Sequence, residues 1–138
     1  MVSSEFWKGK RVLITGHSGF KGSWLSLWLN KLGAEVMGFS LQPEESSSIF
    51  YQAKIASVVE SIFGDIRDYE IMKSNMLAFK PEIIFHLAAQ PLVRDSYLDP
   101  LETYSTNVLG TANVLQAARS IDSCKAIVVV TSDKCYDN

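Results

Sequence analysis

Three residues near the carboxyl end of the sequence could do chemistry together. Ser132, Asp133 and Lys134 stand in tandem after the apolar run 126–130. A hydroxyl there can hydrogen-bond a substrate oxygen. A carboxyl can give or take a proton if its pKa is raised, and a lysine can act as a base if burial lowers its own. The same residue types also make a polar turn after a strand, and spacing alone favours that turn. A second stretch lies near the amino end. The run Val12-Leu13-Ile14-Thr15 stops at Gly16, Gly19 and Gly22 follow at three-residue intervals, and an apolar helical pattern starts at Ser23. The series reads as a strand, a phosphate-cradling turn and a helix. Gly16 allows a sharp turn, Gly19 lets backbone N–H groups approach a pyrophosphate, and Gly22 lets the helix pack closely on the sheet. The helix N-terminus then directs unpaired N–H groups and a partial positive charge at the phosphates. Glycine spacing alone is weak; the strand–turn–helix context gives it weight.

The elements that must position these residues alternate. Strands are expected at 11–15, 35–39, 58–63, 82–86 and 126–130. Helices are expected at 21–32, with Gly33 as the stop, at 49–56, at 69–79 ended by Pro81, and from Asp99-Pro100 to about residue 120. In the last helix Leu101, Tyr104, Val108, Leu115 and Ala118 are assigned to the core side. Trp24 and Trp28, four apart, are assigned to core or interface packing. Phe6 and Trp7 are expected against the sheet edge, and 126–130 reads as a strand buried in a parallel sheet. Such alternation implies an α/β fold, a doubly wound Rossmann-like parallel sheet of order 3-2-1-4-5 with helices on both faces. One domain over residues 1–138 suits the length. A sixth strand and a substrate-binding region are absent, so the chain is expected to be the N-terminal part of something longer.

Composition narrows the partners. The chain is 47% hydrophobic and 20% charged, with a net charge of −2. No Lys/Arg cluster suggests nucleic acid. No apolar run approaches the length of a membrane span, and no signal-peptide pattern is present, so a cytoplasmic location is expected. Cys124 and Cys135 fit no metal or redox spacing and are expected as reduced buried thiols.

In the expected topology every chemically interesting segment follows the carboxyl end of a strand, and five turns converge on one rim. At that rim Asp65 could accept from an adenine amino group. Ala88 and Ala89 are small where a dinucleotide would pass over them. Thr106 and Asn107 stand mid-helix, where Asn107 could hold a side chain or simply face solvent. His17 and His86 are read as structural, because no carboxylate or nucleophile is placed beside them by sequence.

The blocks at 15–22, 64–68, 85–90, 106–111 and 131–136 resemble the extended short-chain dehydrogenase/reductase family. The segments 17–28, 90–94 and 131–138 narrow the likeness to its nucleotide-sugar 4,6-dehydratases. The resemblance implies a hydro-lyase that keeps NAD bound through a redox-neutral cycle on a nucleotide-sugar substrate. The cofactor contacts it implies are Gly16, Gly19, Phe20, Lys21, Gly22, Ser40, Asp65, Ile66, Leu87, Ala88, Ala89, Gln90 and Thr106. Carried over by position, Ser132 bonds the sugar O4 and Asp133 protonates the departing C6 hydroxyl. Lys134 stands where sister enzymes have a glutamate that removes the C5 proton; it acts as a base or as an electrostatic stabiliser. The family's Tyr-x-x-x-Lys is expected downstream of Asn138, not in this chain, which alone should be inactive. The end of the second strand, Ser40-Leu41-Gln42, has neither an acid for a ribose 2′-OH nor an arginine for a 2′-phosphate, leaving NAD and NADP open. A homodimer is implied, built partly on the helix at 99–120. The alternatives are an epimerase or reductase of the same family, or a non-catalytic dinucleotide-binding module.

Overall fold

The computed structural model describes residues 3–44 and 46–132. Its sheet is parallel, with β1 (Arg11–Thr15) at the centre. β2 (Glu35–Ser40) and β4 (Ile83–His86) flank it, β3 (Glu60–Phe63) pairs with β2, and β5 (Ala126–Val129) pairs with β4. The order is therefore 3-2-1-4-5. Register aligns Thr15 with Phe39 on one side and His86 on the other. The carboxyl ends of the strands thus reach one rim together.

Alternation along β1 splits the core into two layers. Leu13, Met37, Phe39 and Ile84 meet Met72 and Met76 of α4 (Tyr69–Phe79) and Val114, Ala117 and Ala118 of α7 (Thr111–Ala118). On the other face Val12, Ile14, Val36 and Ile83 meet Leu29 of α2 (Phe20–Lys31) and Phe50 of α3 (Ile49–Gln52). The region 49–56 is less regular than expected, with a 3-10 turn at Ile55–Ser57 after α3. A short helix, α1 (Ser4–Trp7), opens the described chain, and Trp7 packs 6.3 Å from the Phe85 ring. Phe85 belongs to β4, so the contact is with the sheet face and not its edge, while Phe6 is exposed.

Three packing expectations are corrected. β5 is an edge strand, and Ile127 and Val128 are exposed because no described element covers that side. α2 buries a narrow side of Gly22, Ser23, Ser26 and Leu29, leaving Trp24 and Trp28 more than half exposed. Small residues let the helix lie close to the sheet, which turns the tryptophans outward, so of the core or interface packing expected for them the core reading is the one corrected. The last helical region is three pieces, not one. It runs from α6 (Pro100–Tyr104), with Asp99 capping the N–H of Glu102 at 3.0 Å, through a π-helical stretch, Ser105–Gly110, into α7. A π-turn shifts the phase of the apolar stripe. Leu101, Tyr104, Val108 and Leu115 are consequently exposed, and only Ala118 of the expected set is buried. A further helix, α5 (Val93–Leu98), precedes α6 and was not anticipated.

Candidate functional site

The rim encloses a cleft of ≈ 520 Å³. Its wall is built from the glycine turn, the ends of β2 and β3, the segment after β4 and the residues after β5. Gly16, Gly19, Phe20, Lys21, Gly22, Ser40, Asp65, Ile66, Leu87, Ala88, Ala89 and Thr106 all line it, and so do Ser18, Leu41 and Arg67. Gln90 does not line it. Its backbone is clamped instead by Asn107 of the π-helical stretch, which accepts from the Gln90 N–H at 2.8 Å and donates to the Gln90 carbonyl at 3.0 Å. Asn107 therefore holds a partner and does not simply face solvent, but what it grips is backbone and not a side chain.

The three glycines differ in why they are glycines. Gly16 has φ +76°, and a Cβ there would lie 2.8 Å from the Ala88 nitrogen. Gly22 would drive a Cβ to 2.1 Å from the Gly16 carbonyl oxygen, so it makes room for the turn's own backbone and not for the sheet. Gly19 is constrained by neither. Its φ of −74° suits any residue, and a Cβ would meet only the Gly16 oxygen, at 3.4 Å. It caps α2 and opens on the cleft. The first-turn N–H groups of a helix have no partners within it, so this cleft receives them without a side chain in the way.

At the end of β2 the His17 ring is fully buried. It fits because β2 carries Gly38 there: a Cβ at that position would sit 2.1 Å from the ring. Phe50 meets His17 edge-on, with ring centres 5.4 Å apart, and Phe63 lies at 6.0 Å. Burial lowers the His17 pKa to about 4. Its Nδ1 is 3.0 Å from the Ser40 hydroxyl, and that hydroxyl is 2.8 Å from the Ser18 hydroxyl.

At the end of β3 Asp65 is engaged by Arg67. The guanidinium donates to the carboxylate at 2.5, 2.9 and 3.0 Å, and the Arg67 backbone N–H adds a further bond at 2.8 Å. Arg67 also donates to Glu102 of α6, tying the β3 turn to the helices that follow β4. The Arg67 side-chain bond holds Asp65 below the usual carboxylate range. Asp68, not Asp65, caps α4, accepting from the Ile71 N–H at 3.1 Å.

His86 has a partner for each ring nitrogen. Thr15 Oγ1 lies 2.6 Å from Nδ1 and Thr111 Oγ1 2.8 Å from Nε2. Thr111 donates to the Asn107 carbonyl at 2.7 Å, so it accepts from Nε2–H, and Nδ1 accepts from Thr15. Thr15 in turn accepts from the Leu87 and Ala88 N–H groups at 3.2 Å. The end of β1, the segment after β4 and the π-helical stretch are thus one hydrogen-bonded unit.

Val130 and Thr131 line the same cleft; Ser132, the next residue, is exposed and is not among the lining residues. Asp133, Lys134 and Cys135 lie outside the described residues. Cys124 is a partly buried free thiol whose pKa burial pushes up. The spacing Tyr-x-x-x-Lys, expected only downstream, does occur once, at Tyr69 and Lys73 of α4. There the lysine sits 5.4 Å over the tyrosine ring, and neither residue lines the cleft. It is a helix-surface pair. Among the described residues no cluster could hold a metal ion and no helix is long and apolar enough to cross a membrane. Sequence reasoning overlooked Ser18, Arg67 and Gly38. A glycine interrupting a central strand signals a close approach, and Gly38 could have exposed the His17 seat.

A parallel 3-2-1-4-5 sheet with a glycine turn and a cleft at its carboxyl rim defines a Rossmann-like domain. Solved structures share it. An epimerase from Methanothermobacter thermautotrophicus matches with a TM-score of 0.80 and 31% identity, over 94% of this chain and 37% of that one. The UDP-glucose 4-epimerase of Thermus thermophilus, solved in complex with NAD, matches with a TM-score of 0.72 and 31% identity, over 84% and 36%. The family model for GDP-mannose 4,6 dehydratase matches residues 13–137, and the chain belongs to that family. Among curated relatives it is 54% identical to the CDP-glucose 4,6-dehydratase of Salmonella typhimurium, over all of this chain and 38% of the relative. It is 38% identical to the UDP-glucose 4-epimerase of Mycolicibacterium smegmatis, over 79% of this chain and 34% of the relative. The chain therefore spans between a third and two fifths of the length of these curated relatives.

Proposed function

We propose that residues 1–138 form the dinucleotide-binding unit of an NAD-dependent hydro-lyase that converts CDP-glucose to its 4-keto-6-deoxy form. The observation that carries the reading is Gly19. Neither its backbone angle nor its packing requires glycine, yet it stands where α2 begins and opens on the cleft. A pyrophosphate laid on the helix N-terminus needs that missing side chain. The 54% identity to a CDP-glucose 4,6-dehydratase supports the choice of substrate.

Bound in the cleft, NAD would supply a reversible hydride store, chemistry that no side chain of this chain can provide. The chain's own residues bind and orient. Gly16, Gly19 and Gly22 with Phe20 and Lys21 hold the pyrophosphate end. Asp65 and Ile66 take the adenine, Ser40 the neighbouring ribose, and Leu87, Ala88, Ala89 and Thr106 the path towards the nicotinamide, while the Asn107 clamp on the Gln90 backbone fixes the segment behind them. Ser132 bonds the sugar O4 and Asp133 gives its proton to the leaving C6 hydroxyl. Lys134 acts at C5, as base or as cationic stabiliser of the enolate; a base gives a pH–rate limb that Lys134→Met abolishes, a stabiliser does not. The full-length enzyme is read as a cytoplasmic homodimer, and the exposed Leu101, Tyr104 and Val108 support an interface there.

The full-length protein incubated with C4-deuterated CDP-glucose should yield a product lighter by one water, with the label at C6. An epimer with no loss of water would overturn the dehydratase reading in favour of the epimerase one.

A further inference from the structure

We infer that the Ser18–Ser40 hydroxyl pair, oriented by His17, selects NAD over its 2′-phosphorylated form by presenting only lone pairs to the adenosine ribose. The inference rests on the dinucleotide reading above and names the groups that set its specificity. In this fold the ribose 2′-hydroxyl lies at the end of the second strand, where a carboxylate commonly accepts from it. This chain has Ser40-Leu41-Gln42 there. Both hydroxyl-bearing residues, Ser18 and Ser40, line the cleft.

Counting donors fixes the direction of the hydrogen bonds. Ser18 donates to the Leu41 carbonyl at 2.9 Å, and a carbonyl can only accept. Ser18 has no second proton, so the 2.8 Å contact between the hydroxyls is a donation from Ser40. Ser40 also lies 3.0 Å from the Leu41 carbonyl, and either acceptor takes its one proton. The 3.0 Å contact with His17 must then run from Nδ1–H to Ser40. This tautomer leaves Nε2 as a bare lone pair. Among the described residues Nε2 has no hydrogen-bond partner, and it lies in a pocket walled by Phe50 and Phe63. The opposite tautomer would strand a buried N–H donor in the same place, and a protonated ring would strand it with a charge. With Nδ1–H every donor in the set is paired.

The relay therefore runs His17 to Ser40 to Ser18 to Leu41, and no proton in it remains for the ligand. A ribose 2′-hydroxyl can donate into the remaining lone pairs. A 2′-phosphate brings more negative oxygens to the same lone pairs and finds no hydroxyl donor. Arg67, the lining guanidinium, is engaged by Asp65 and Glu102. Discrimination is thus made by neutral groups, and the buried ring that keeps them in phase is a positioning residue.

Calorimetric titration of NAD and of NADP into the full-length apoprotein tests the inference. Wild type should bind NAD at least about tenfold more tightly than NADP, and Ser40→Ala and Ser18→Ala should each shrink that ratio by about three- to tenfold, mainly through weaker NAD binding. His17→Asn, which keeps a donor near the Nδ1 position, should preserve the ratio, whereas His17→Phe, which keeps the ring packing, should reduce it like Ser40→Ala. Equal affinities in wild type, or a ratio indifferent to both serine substitutions, would overturn the inference and leave the dinucleotide reading standing. Failure of wild type to bind either dinucleotide would overturn both.

Discussion

Two histidines lie buried at the carboxyl rim, one beyond β1 and one at the end of β4, and they are held in opposite ways. His86 satisfies both ring nitrogens, with Thr15 at 2.6 Å and Thr111 at 2.8 Å. His17 satisfies one, and its Nε2 is left without a hydrogen bond among aromatic rings. Burial lowers the pKa of both. The fully paired ring is a joint that locks β1, the segment after β4 and the π-helical stretch together. The half-paired ring keeps an uncompensated polar atom, and it does so directly beneath two hydroxyls that face the cleft. A side chain used only for packing would more economically be apolar, and this difference supports the proposed selecting role for His17 beside a stabilising one for His86.

Removing the paired ring should do the most damage. His86→Ala leaves a cavity, takes the acceptor from the buried Thr15 hydroxyl and removes the donor to the half-buried Thr111, so urea unfolding should show a loss of about 3–5 kcal/mol. Gly38→Ala is next. The added methyl collides with the His17 ring, and overpacking of this kind costs about 1–3 kcal/mol. The same substitution in a His17→Ala background should cost much less, and that non-additivity, read from a double-mutant cycle, tests the contact itself. A third test is pH. Both histidines have folded pKa values below 6.5, so the unfolded chain binds more protons than the folded one beneath that pH. Stability should be fully present above about pH 6.5 and fall as the pH drops towards about 4, the value for His17. His17→Asn should flatten part of that slope in urea midpoints measured across the window. The smallest effect is expected at the Arg67–Glu102 pair, which is partly exposed: Glu102→Gln should change stability by less than about 1 kcal/mol.

The sheet order, β1 and α4 were legible to the residue or nearly so, because apolar runs and glycine or proline stops report them directly. The exposed β5 face was not, since a continuous apolar run reads the same whether a strand is central or at an edge. The phase of the last helical region was lost at Ser105–Gly110, because a π-turn adds a residue without leaving a pattern that periodicity can register. At the site, the glycine turn and the small residues after β4 announced themselves through spacing and size. The His17–Ser40–Ser18 relay did not, because Ser40 lies more than twenty residues from the adjacent His17 and Ser18 and meets them only through the parallel pairing of β1 with β2. Gly38 was the one local trace of it. Arg67 went unnoticed for a similar reason: its partner Glu102 comes from a helix that follows a different strand.

We propose that the cleft at this rim seats a dinucleotide with its pyrophosphate over Gly19. A crystal structure of the full-length protein soaked with NAD is the decisive measurement. The pyrophosphate should lie against the first turn of α2, with the adenosine ribose within hydrogen-bond distance of Ser18 and Ser40. A dinucleotide bound elsewhere, or a ribose turned away from both serines, would contradict it.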